Sequence, residues 1–364
     1  MHQRRPEKGG FLLMKKKLLF LLPLVCLLLS AAGAVFGRIL PEKTRFIRVS
    51  EAVSENSSRP QAASNPHSTL SVPSCVTRIG DDYFIVDTYH DQIIFSDSLT
   101  RPINEWQVAT DQIARGHTIA GDGTVYLADD TENNRILILE KKDGAFLLTQ
   151  EFTDIGIRPH YVVYDEATAR FYAYSSMTGE LYVFRRVEDF PVEKSSMEKS
   201  STEKSSTEES SQVVLEEIRR IEKLNGVYVR SFTILGDEIY FVSGASSIIR
   251  AKLKDLSILE EYPVPAQMAG MIQLEKIQDY FYITVSTDAA GNQDYATILR
   301  TRDLGLLASG GYEDIYSYFV GGGTPYYMGS FDGHYYLTEH RIPGCSVWQF
   351  DVIENEITDV TLLY

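Results

Sequence analysis

Short apolar runs separated by polar turns dominate the chain from residue 74 onward, and this pattern predicts β-strands. Six runs share the same surroundings: each follows a Gly or Asp turn, is rich in aromatic residues and precedes a polar loop. Their central residues, at spacings of 42, 45, 69, 43 and 52 residues, are Val86, Ala128, Ala173, Val242, Val285 and Leu337. The chain therefore repeats a unit of about 45 residues, provided that the longest spacing contains an insertion.

Each of the six runs is flanked by further apolar stretches, one before its turn and one after its polar loop. A fourth stretch is present in most units, for example "NEWQVA" and "EITDVTLLY". Six units of four antiparallel strands predict an all-β fold, a six-bladed β-propeller, in which radial repetition leaves only short edges. A β-sandwich is the alternative, but it does not explain why the same order of turn, strand, loop and strand recurs six times.

Two of the units resemble each other in amino-acid sequence. The second contains "YLADDTENNRI", and the first contains "FIVDTYHDQII" 42 residues earlier, so that Asp87 takes the place of Asp129 and Ile93 that of Arg135. Both stretches are similar to the NHL repeat, over roughly residues 75–151. The resemblance implies an NHL-like or TolB-like six-bladed propeller, a fold that carries binding platforms, scaffolds and enzymes alike.

Three segments differ from the repeats. Residues 1–36 contain three lysines followed by a long apolar run, which predicts a signal peptide or an uncleaved membrane anchor. Residues 37–73 are rich in Pro, Ser, Asn and Glu and predict a linker or stalk before a propeller over 74–364. Residues 191–211 repeat "EKSST"-like units with almost no apolar side chains and predict a disordered insert. We expect an exported protein, secreted or membrane-anchored, with its propeller outside the cytoplasm.

Charge and missing motifs narrow the function. The 35 basic and 50 acidic residues give a net charge of -15, which repels nucleic-acid phosphates and anionic lipid surfaces. The sequence also lacks a Gly-x-Ser-x-Gly elbow, a Gly-rich phosphate loop, a Cys-x-x-Cys pair and a His-Glu-x-x-His helix. We therefore expect a binding protein rather than an enzyme, no nucleic-acid partner, and membrane contact only through the N-terminal segment.

One face of the predicted disc collects two loops from every blade, because the start of one strand and the end of the next meet at the same edge of an antiparallel pair. We expect ligand contacts on the face formed by the starts of the innermost strands. The candidate ligand-binding residues are Arg115, His117, Arg158, His160, Tyr161, Arg230, Tyr326, Asp87 and Asp129.

His117 and His160 occupy equivalent places in neighbouring units, each two residues after an arginine. They are the candidate catalytic residues, because two imidazoles can act as acid and base or share a divalent metal with a carboxylate such as Asp87 or Asp129. The alternative is structural: a histidine here can bond to the backbone of the next blade, and an aspartate that begins a turn can cap N–H groups. No cofactor other than such a metal is expected.

These expectations define a function and leave one structural question open. We expect an extracytoplasmic binding or scaffold propeller that recognises an envelope ligand, a glycan, peptide or protein, with a metal-assisted lyase or hydrolase as the alternative. Some propellers close the ring by completing one blade with a strand from the other end of the chain. Here units one and six each supply four strands, so other contacts must join these two blades. Cys75 and Cys345 fall in these neighbouring blades, and both a disulfide and two buried thiols are compatible with the sequence.

Overall fold

The computed structural model describes residues 46–47, 62–188 and 211–364, except 245, 320–322, 342–343 and 345, and only the backbone of 46–47. Two short strands, β1 (Phe46–Ile47) and β2 (Ala63–Ser64), precede six four-stranded units. Blade 1 contains β3 (Pro73–Ile79), β4 (Asp82–Asp87), β5 (Gln92–Ser96) and β6 (Gln107–Thr110). Blade 2 contains β7 (Ile119–Gly121), β8 (Val125–Asp130), β9 (Arg135–Lys142) and β10 (Ala145–Phe152).

The other four blades follow in chain order. Blade 3 contains β11 (Pro159–Asp165), β12 (Arg170–Ser175), β13 (Glu180–Val187) and β14 (Gln212–Arg220). Blade 4 contains β15 (Val229–Leu235), β16 (Glu238–Ser243), β17 (Ser247–Lys252) and β18 (Ile258–Pro263). Blade 5 contains β19 (Gly270–Ile277), β20 (Tyr280–Thr287), β21 (Thr297–Thr301) and β22 (Glu313–Asp314). Blade 6 contains β23 (Thr324–Phe331), β24 (His334–His340), β25 (Val347–Ile353) and β26 (Glu356–Leu362).

Helical structure in the described residues is confined to short 3-10 turns in the loops. Their bounds are Thr88–His90, Ile103–Glu105, Thr131–Asn133, Glu222–Leu224, Ala266–Met268, Gln293–Tyr295, Leu304–Ser309 and Tyr316–Tyr318. None of these turns is long and apolar enough to cross a membrane.

The six sheets are the blades of a closed ring. Each sheet contains four consecutive antiparallel strands, and the first strand of every blade contacts the first strand of the next. The strand β23 of blade 6 returns to contact β3 of blade 1, so the first strands surround a central channel. The prediction of an all-β, six-bladed propeller with four-stranded blades and no borrowed strand is confirmed for the described residues.

The segment before blade 1 takes part in the fold. The strand β1 pairs with the outer edge of β10, and β2 pairs with the outer edge of β6. Asn65 reinforces the contact of β2 with blade 1, because its side-chain amide donates to the Ile103 carbonyl at 2.9 Å and its backbone N–H donates to the Trp106 carbonyl at 3.0 Å. Residues 62–73, predicted as linker, therefore pack against the first blade and protect strand edges that would otherwise be exposed.

The two NHL-like hairpins correspond with a spacing of 43 residues rather than 42. Asp91 and Asn134 both adopt left-handed backbone angles after equivalent 3-10 turns. The strand pairs Asp87–Gln92 and Asp130–Arg135 close the two hairpins in the same way. Asp87 thus corresponds to Asp130 and not, as predicted from the sequence, to Asp129. The two positions are adjacent and both are aspartate, so the sequence does not distinguish between them.

Apolar side chains form six separate cores, one between each pair of neighbouring blades. Aromatic rings fill these wedges: Phe84, Phe95, Tyr126 and Phe146, for example, form a cluster of stacked, tilted and edge-to-face pairs between blades 1 and 2. Such pairs add directional attraction to the area buried. The high aromatic content predicted for strand positions therefore serves blade-to-blade packing.

Ordinary packing and hydrogen bonds close the ring between blades 6 and 1. The single proton of the Tyr364 hydroxyl lies between the carbonyls of Leu99 and Arg101, and the hydroxyl oxygen accepts a hydrogen bond from Trp106 Nε1 at 3.2 Å. Asp332 accepts hydrogen bonds from Arg78 and Tyr83 of blade 1.

Cys75 is a buried free thiol. Cys345, the predicted signal or anchor at 1–36 and nearly all of the predicted insert at 191–211 lie outside the described residues.

Candidate functional site

β-Bulges at the starts of the innermost strands place the candidate side chains over the channel. In blade 3 the pairs Pro159–Ser175 and Tyr161–Tyr174 leave His160 as an extra residue. In blade 4 the extra residue is Arg230, and in blade 6 Tyr326 and Tyr327 lie opposite Thr338 alone. A bulge redirects the side chain that it releases from the ladder. His160, Arg230 and Tyr326 therefore meet in one layer at the mouth of the channel.

This layer is the floor of a depression of about 350 Å³. The lining side chains come from blades 1 to 4 and blade 6, so the depression is centred on the axis rather than on one blade. Six of the nine candidate ligand-binding residues line it, namely Arg115, His117, Arg158, His160, Arg230 and Tyr326. A concave site of this size accommodates a small molecule or the end of a larger one.

His117 and His160 lie face to face at the centre of the floor. Their ring centroids are 3.7 Å apart with an interplanar angle of 18°. The Tyr326 hydroxyl lies 3.0 Å from His117 Nδ1 and 3.4 Å from His160 Nε2, and His160 Nδ1 lies 3.0 Å from the Arg230 carbonyl. Because a carbonyl only accepts, we assign the proton of His160 to Nδ1; the hydroxyl then donates to His160 Nε2 and accepts from His117 Nδ1.

Burial keeps these imidazoles neutral. The pKa of His160 falls to about 3, mainly through desolvation and then through the nearby charges of Arg230 and Arg158, while the Arg230 carbonyl opposes the shift. The pKa of His117 falls well below its ordinary value, mainly through burial and then through His160. Burial also raises the pKa of Tyr326, so its hydroxyl stays protonated. The centre of the floor is therefore a set of neutral rings at physiological pH.

Arg115 and Arg158 occupy equivalent and unfavourable backbone positions beside the histidines. Their φ angles are 54° and 57°, in the left-handed region that favours glycine. Each backbone N–H donates to a side chain of the preceding blade: Arg115 to Asp91 Oδ1 at 2.9 Å and Arg158 to Asn134 Oδ1 at 2.8 Å. These hydrogen bonds explain why the two NHL-like turns have Asp or Asn at positions 91 and 134.

Gly116 allows this path between Arg115 and His117. A Cβ at this position would approach the Asp129 carbonyl oxygen to 2.7 Å and the Ile113 side chain more closely still. Any larger residue would displace the loop that carries both candidate side chains.

Asp87, Asp129 and Tyr161 do not line the depression. Asp129 is fully buried and accepts hydrogen bonds from the backbone N–H groups of His117 and Thr118 and from two threonine hydroxyls. Burial nonetheless raises the pKa of Asp129 to about 7, against the effect of these donors. Asp87 accepts from the Ser71 N–H at 2.6 Å and contacts His90 Nδ1 at 2.7 Å. Both carboxylates thus hold the loops that carry the site, the role proposed above as their structural alternative.

Tyr161 packs into the core between blades 3 and 4, where its hydroxyl accepts a hydrogen bond from Gln273 Nε2 at 2.9 Å.

The sequence candidates omitted several side chains of the depression. His340 stacks on Tyr326 with centroids 4.7 Å apart, and Tyr228 lies edge-on to His160 at 5.9 Å. Tyr89 and Glu132 come from the polar loops of blades 1 and 2. The repeat itself contained the signal for these residues, because each lies at or just after the end of a second strand, or just before the start of a first strand, on the same face.

The residues of the site do not form a ready-made metal centre. Within the described part of the chain, no three His, Cys, Asp or Glu side chains lie close enough to hold one ion. The carboxylates considered as partners of His117 and His160 are those of Asp87 and Asp129, whose oxygens are occupied by protein donors. Metal binding by these residues would need the loops to rearrange.

No protein-family model and no curated protein sequence matches this chain. Solved structures do match. A streptogramin B lyase structure shares 12% identity over 84% of this chain and 87% of the lyase chain, with a TM-score of 0.52. Proteins from Bacteroides fragilis NCTC 9343 and Bacteroides uniformis ATCC 8492, both described as candidate 6-phosphogluconolactonases, share 12% and 13% identity at TM-scores of 0.52 and 0.51.

The protein from Bacteroides fragilis matches over 80% of this chain and 83% of its own, and the protein from Bacteroides uniformis over 78% and 82%. At such low identity these likenesses establish the propeller fold and no activity. The NHL identity of the repeats is not confirmed and stays a prediction.

Proposed function

We propose that this protein is an extracytoplasmic binding propeller that recognises an envelope ligand, a glycan, peptide or protein, in the depression at the channel mouth. The main support for this proposal is that several blades bring Arg115, Arg158, Arg230 and the two stacked histidines together in one concave site. Propellers commonly use the loops of one face in this way, because the ring fixes loops from different blades relative to each other. The proposed location outside the cytoplasm rests on the sequence of residues 1–36.

The protonation state of the floor favours binding over acid–base chemistry. An effective general base or acid has a pKa near the working pH, whereas burial lowers that of His160 to about 3 and raises that of Tyr326. Flat neutral rings edged by guanidinium groups can instead stack against a ligand and hydrogen-bond to it.

A metal-assisted lyase or hydrolase is the second candidate, and the stacked pair of His117 and His160 is the observation that favours it. Elemental analysis of the purified propeller, with thermal shifts on adding Mg²⁺, Ca²⁺, Mn²⁺ or Zn²⁺, separates the two candidates. The binding proposal predicts no stoichiometric ion; an ion lost in a His117→Gln variant would support the enzyme.

Binding can be tested with a glycan array and with capture of envelope proteins on immobilised propeller. Arg158→Ala and Tyr326→Phe should each weaken whatever the parent captures. Arg185→Ala is the matched control for Arg158→Ala: each arginine forms one exposed ion pair, Arg158 with Glu132 at 2.8 Å and Arg185 with Glu216 at 2.5 Å, but Arg185 lies on β13, the third strand of its blade, and does not line the depression. Equal capture by the parent and both site variants would remove this face from consideration.

A further inference from the structure

We infer that the ligand of this depression presents an oxyanion, a carboxylate or a phosphate, to Arg230 and Arg115; the inference rests on the proposed function and adds the chemical class of the ligand. Among the lining side chains, three carry a fixed positive charge and only Glu132 carries a negative one. Glu132 is engaged by Arg158 at 2.8 Å, which leaves the other two arginines to be considered in turn.

Arg230 forms no ion pair with any described residue. Its Nη1 donates to the Ser286 hydroxyl at 2.7 Å, and its guanidinium lies 5.5 Å from the centroid of the Tyr228 ring. One neutral hydroxyl uses only one of the five donors of a guanidinium. The two contacts hold the group in a fixed orientation at the edge of the floor, with donors left for an acceptor from outside.

Arg115 is also incompletely satisfied. Its Nη1 is buried without a hydrogen-bond partner, and its Nε lies 3.8 Å from Asp91, beyond hydrogen-bonding distance. The guanidinium stacks on the exposed ring of Tyr89 at 4.1 Å. A buried unpaired donor on a cation is costly, and an oxyanion in the depression would remove that cost.

The charge of the whole chain restricts the size of the ligand. A net charge of -15 repels an extended polyanion, whereas three arginines against the one carboxylate of Glu132 leave a local positive potential at the mouth of the channel. The depression of about 350 Å³ therefore suits a small molecule, or one terminal group, with a single anionic substituent. The neutral rings beneath it offer a surface on which a sugar or other ring can lie.

Three probes of similar size that differ in charge test the inference: D-glucuronate, D-glucose 6-phosphate and D-glucose, each titrated calorimetrically into the full chain with inorganic phosphate as a fourth arm. Binding of glucuronate or of glucose 6-phosphate, but not of glucose, is expected, and the arm that binds identifies the oxyanion. Affinity should fall as NaCl rises from about 50 to 300 mM. Arg230→Gln and Arg115→Gln should each weaken binding at least about 10-fold, and Arg185→Gln should not.

The outcomes separate the inference from the function on which it rests. Equal binding of glucose, or unchanged anion binding in Arg230→Gln and Arg115→Gln, would overturn the oxyanion while leaving the depression as a binding site. Inorganic phosphate as tight as glucose 6-phosphate would indicate an adventitious ion only and would also overturn it. The absence of binding by every anionic probe at 10 mM would count against the oxyanion, whereas the capture assays with Arg158→Ala test the site independently.

Discussion

Replacing Arg158 by glycine tests whether this arginine is kept for binding rather than for stability. Its φ of 57° costs a residue with a side chain about 1–2 kcal/mol, which glycine does not incur. Glycine adds about 0.4–1 kcal/mol of unfolded-chain entropy, and the exposed pair with Glu132 contributes about 0–1 kcal/mol. The three effects nearly cancel, so the free energy of unfolding of Arg158→Gly should lie within about 1 kcal/mol of the parent.

Ala169 supplies the matched control, because it is exposed, has a φ of 52° and carries no side chain that can reach the site. Urea unfolding of Ala169→Gly measures the backbone effect alone and should show unchanged or slightly increased stability. Arg158→Ala keeps the strain and loses the ion pair, so it should be less stable than Arg158→Gly. The order of the three variants therefore separates backbone strain from side-chain contacts.

A structural role for Arg158 would give a different result. If its side chain held blades 2 and 3 together, Arg158→Gly would lose more than about 2 kcal/mol while Ala169→Gly stayed near the parent, and the functional interpretation would be refuted. Stability near the parent, combined with loss of capture or of anion binding, would show that the strain is maintained for the ligand.

Three further predictions concern the ring, the insert and the histidines. Tyr364→Phe should cost about 1–2 kcal/mol in urea unfolding because it removes the hydroxyl that bonds to blade 1, whereas the control Tyr318→Phe, whose ring is exposed, should cost almost nothing. Replacing residues 188–211 by a four-residue turn between β13 and β14 should change the free energy of unfolding by no more than about 2 kcal/mol, since loop closure depends weakly on length; a loss above about 3 kcal/mol would show that the insert is ordered. Unfolded histidine, with a pKa of about 6.5, binds protons that folded His160, with a pKa of about 3, does not, so stability should fall as pH drops from about 6.5 to 4. His160→Gln should reduce this fall by on the order of 3 kcal/mol; identical pH profiles would contradict the neutral assignment.

The architecture could be predicted from the sequence because each repeat consists of apolar runs that have the length of a β-strand. Aromatic and β-branched runs at a period near 45 residues identify six blades, and the paired spacing of His117 and His160 places them at equivalent positions. The equivalence of Arg115 and Arg158 follows in the same way. Both pairs are 43 residues apart and do line one depression.

Which of the candidate side chains face the depression and which face the core could not be predicted, because this depends on β-bulges. A bulge shifts the alternation of faces by one residue, and the flanking residues in β11, β15 and β23 are largely buried on both faces, so the apolar pattern does not mark the shift. Tyr161 illustrates the effect: it follows the bulged His160 directly and points into the core between blades 3 and 4 instead.

The completeness of the site depends on closure of the ring. In blade 2 the loop of Arg115 is held by Asp91 of blade 1, and Ser74 of blade 1 donates to the His117 carbonyl at 2.8 Å. Blade 1 is held in turn by blade 6, where His340 Nε2 donates to the Pro73 carbonyl at 2.8 Å. Blades 6, 1 and 2 thus each hold a loop or strand start of the next blade beside the site, and an open ring would lose the alignment of guanidinium groups and imidazoles at the same time. We therefore expect ligand binding to be lost when the contacts of Tyr364 with blade 1 are lost, even in conditions where the individual blades keep their strands.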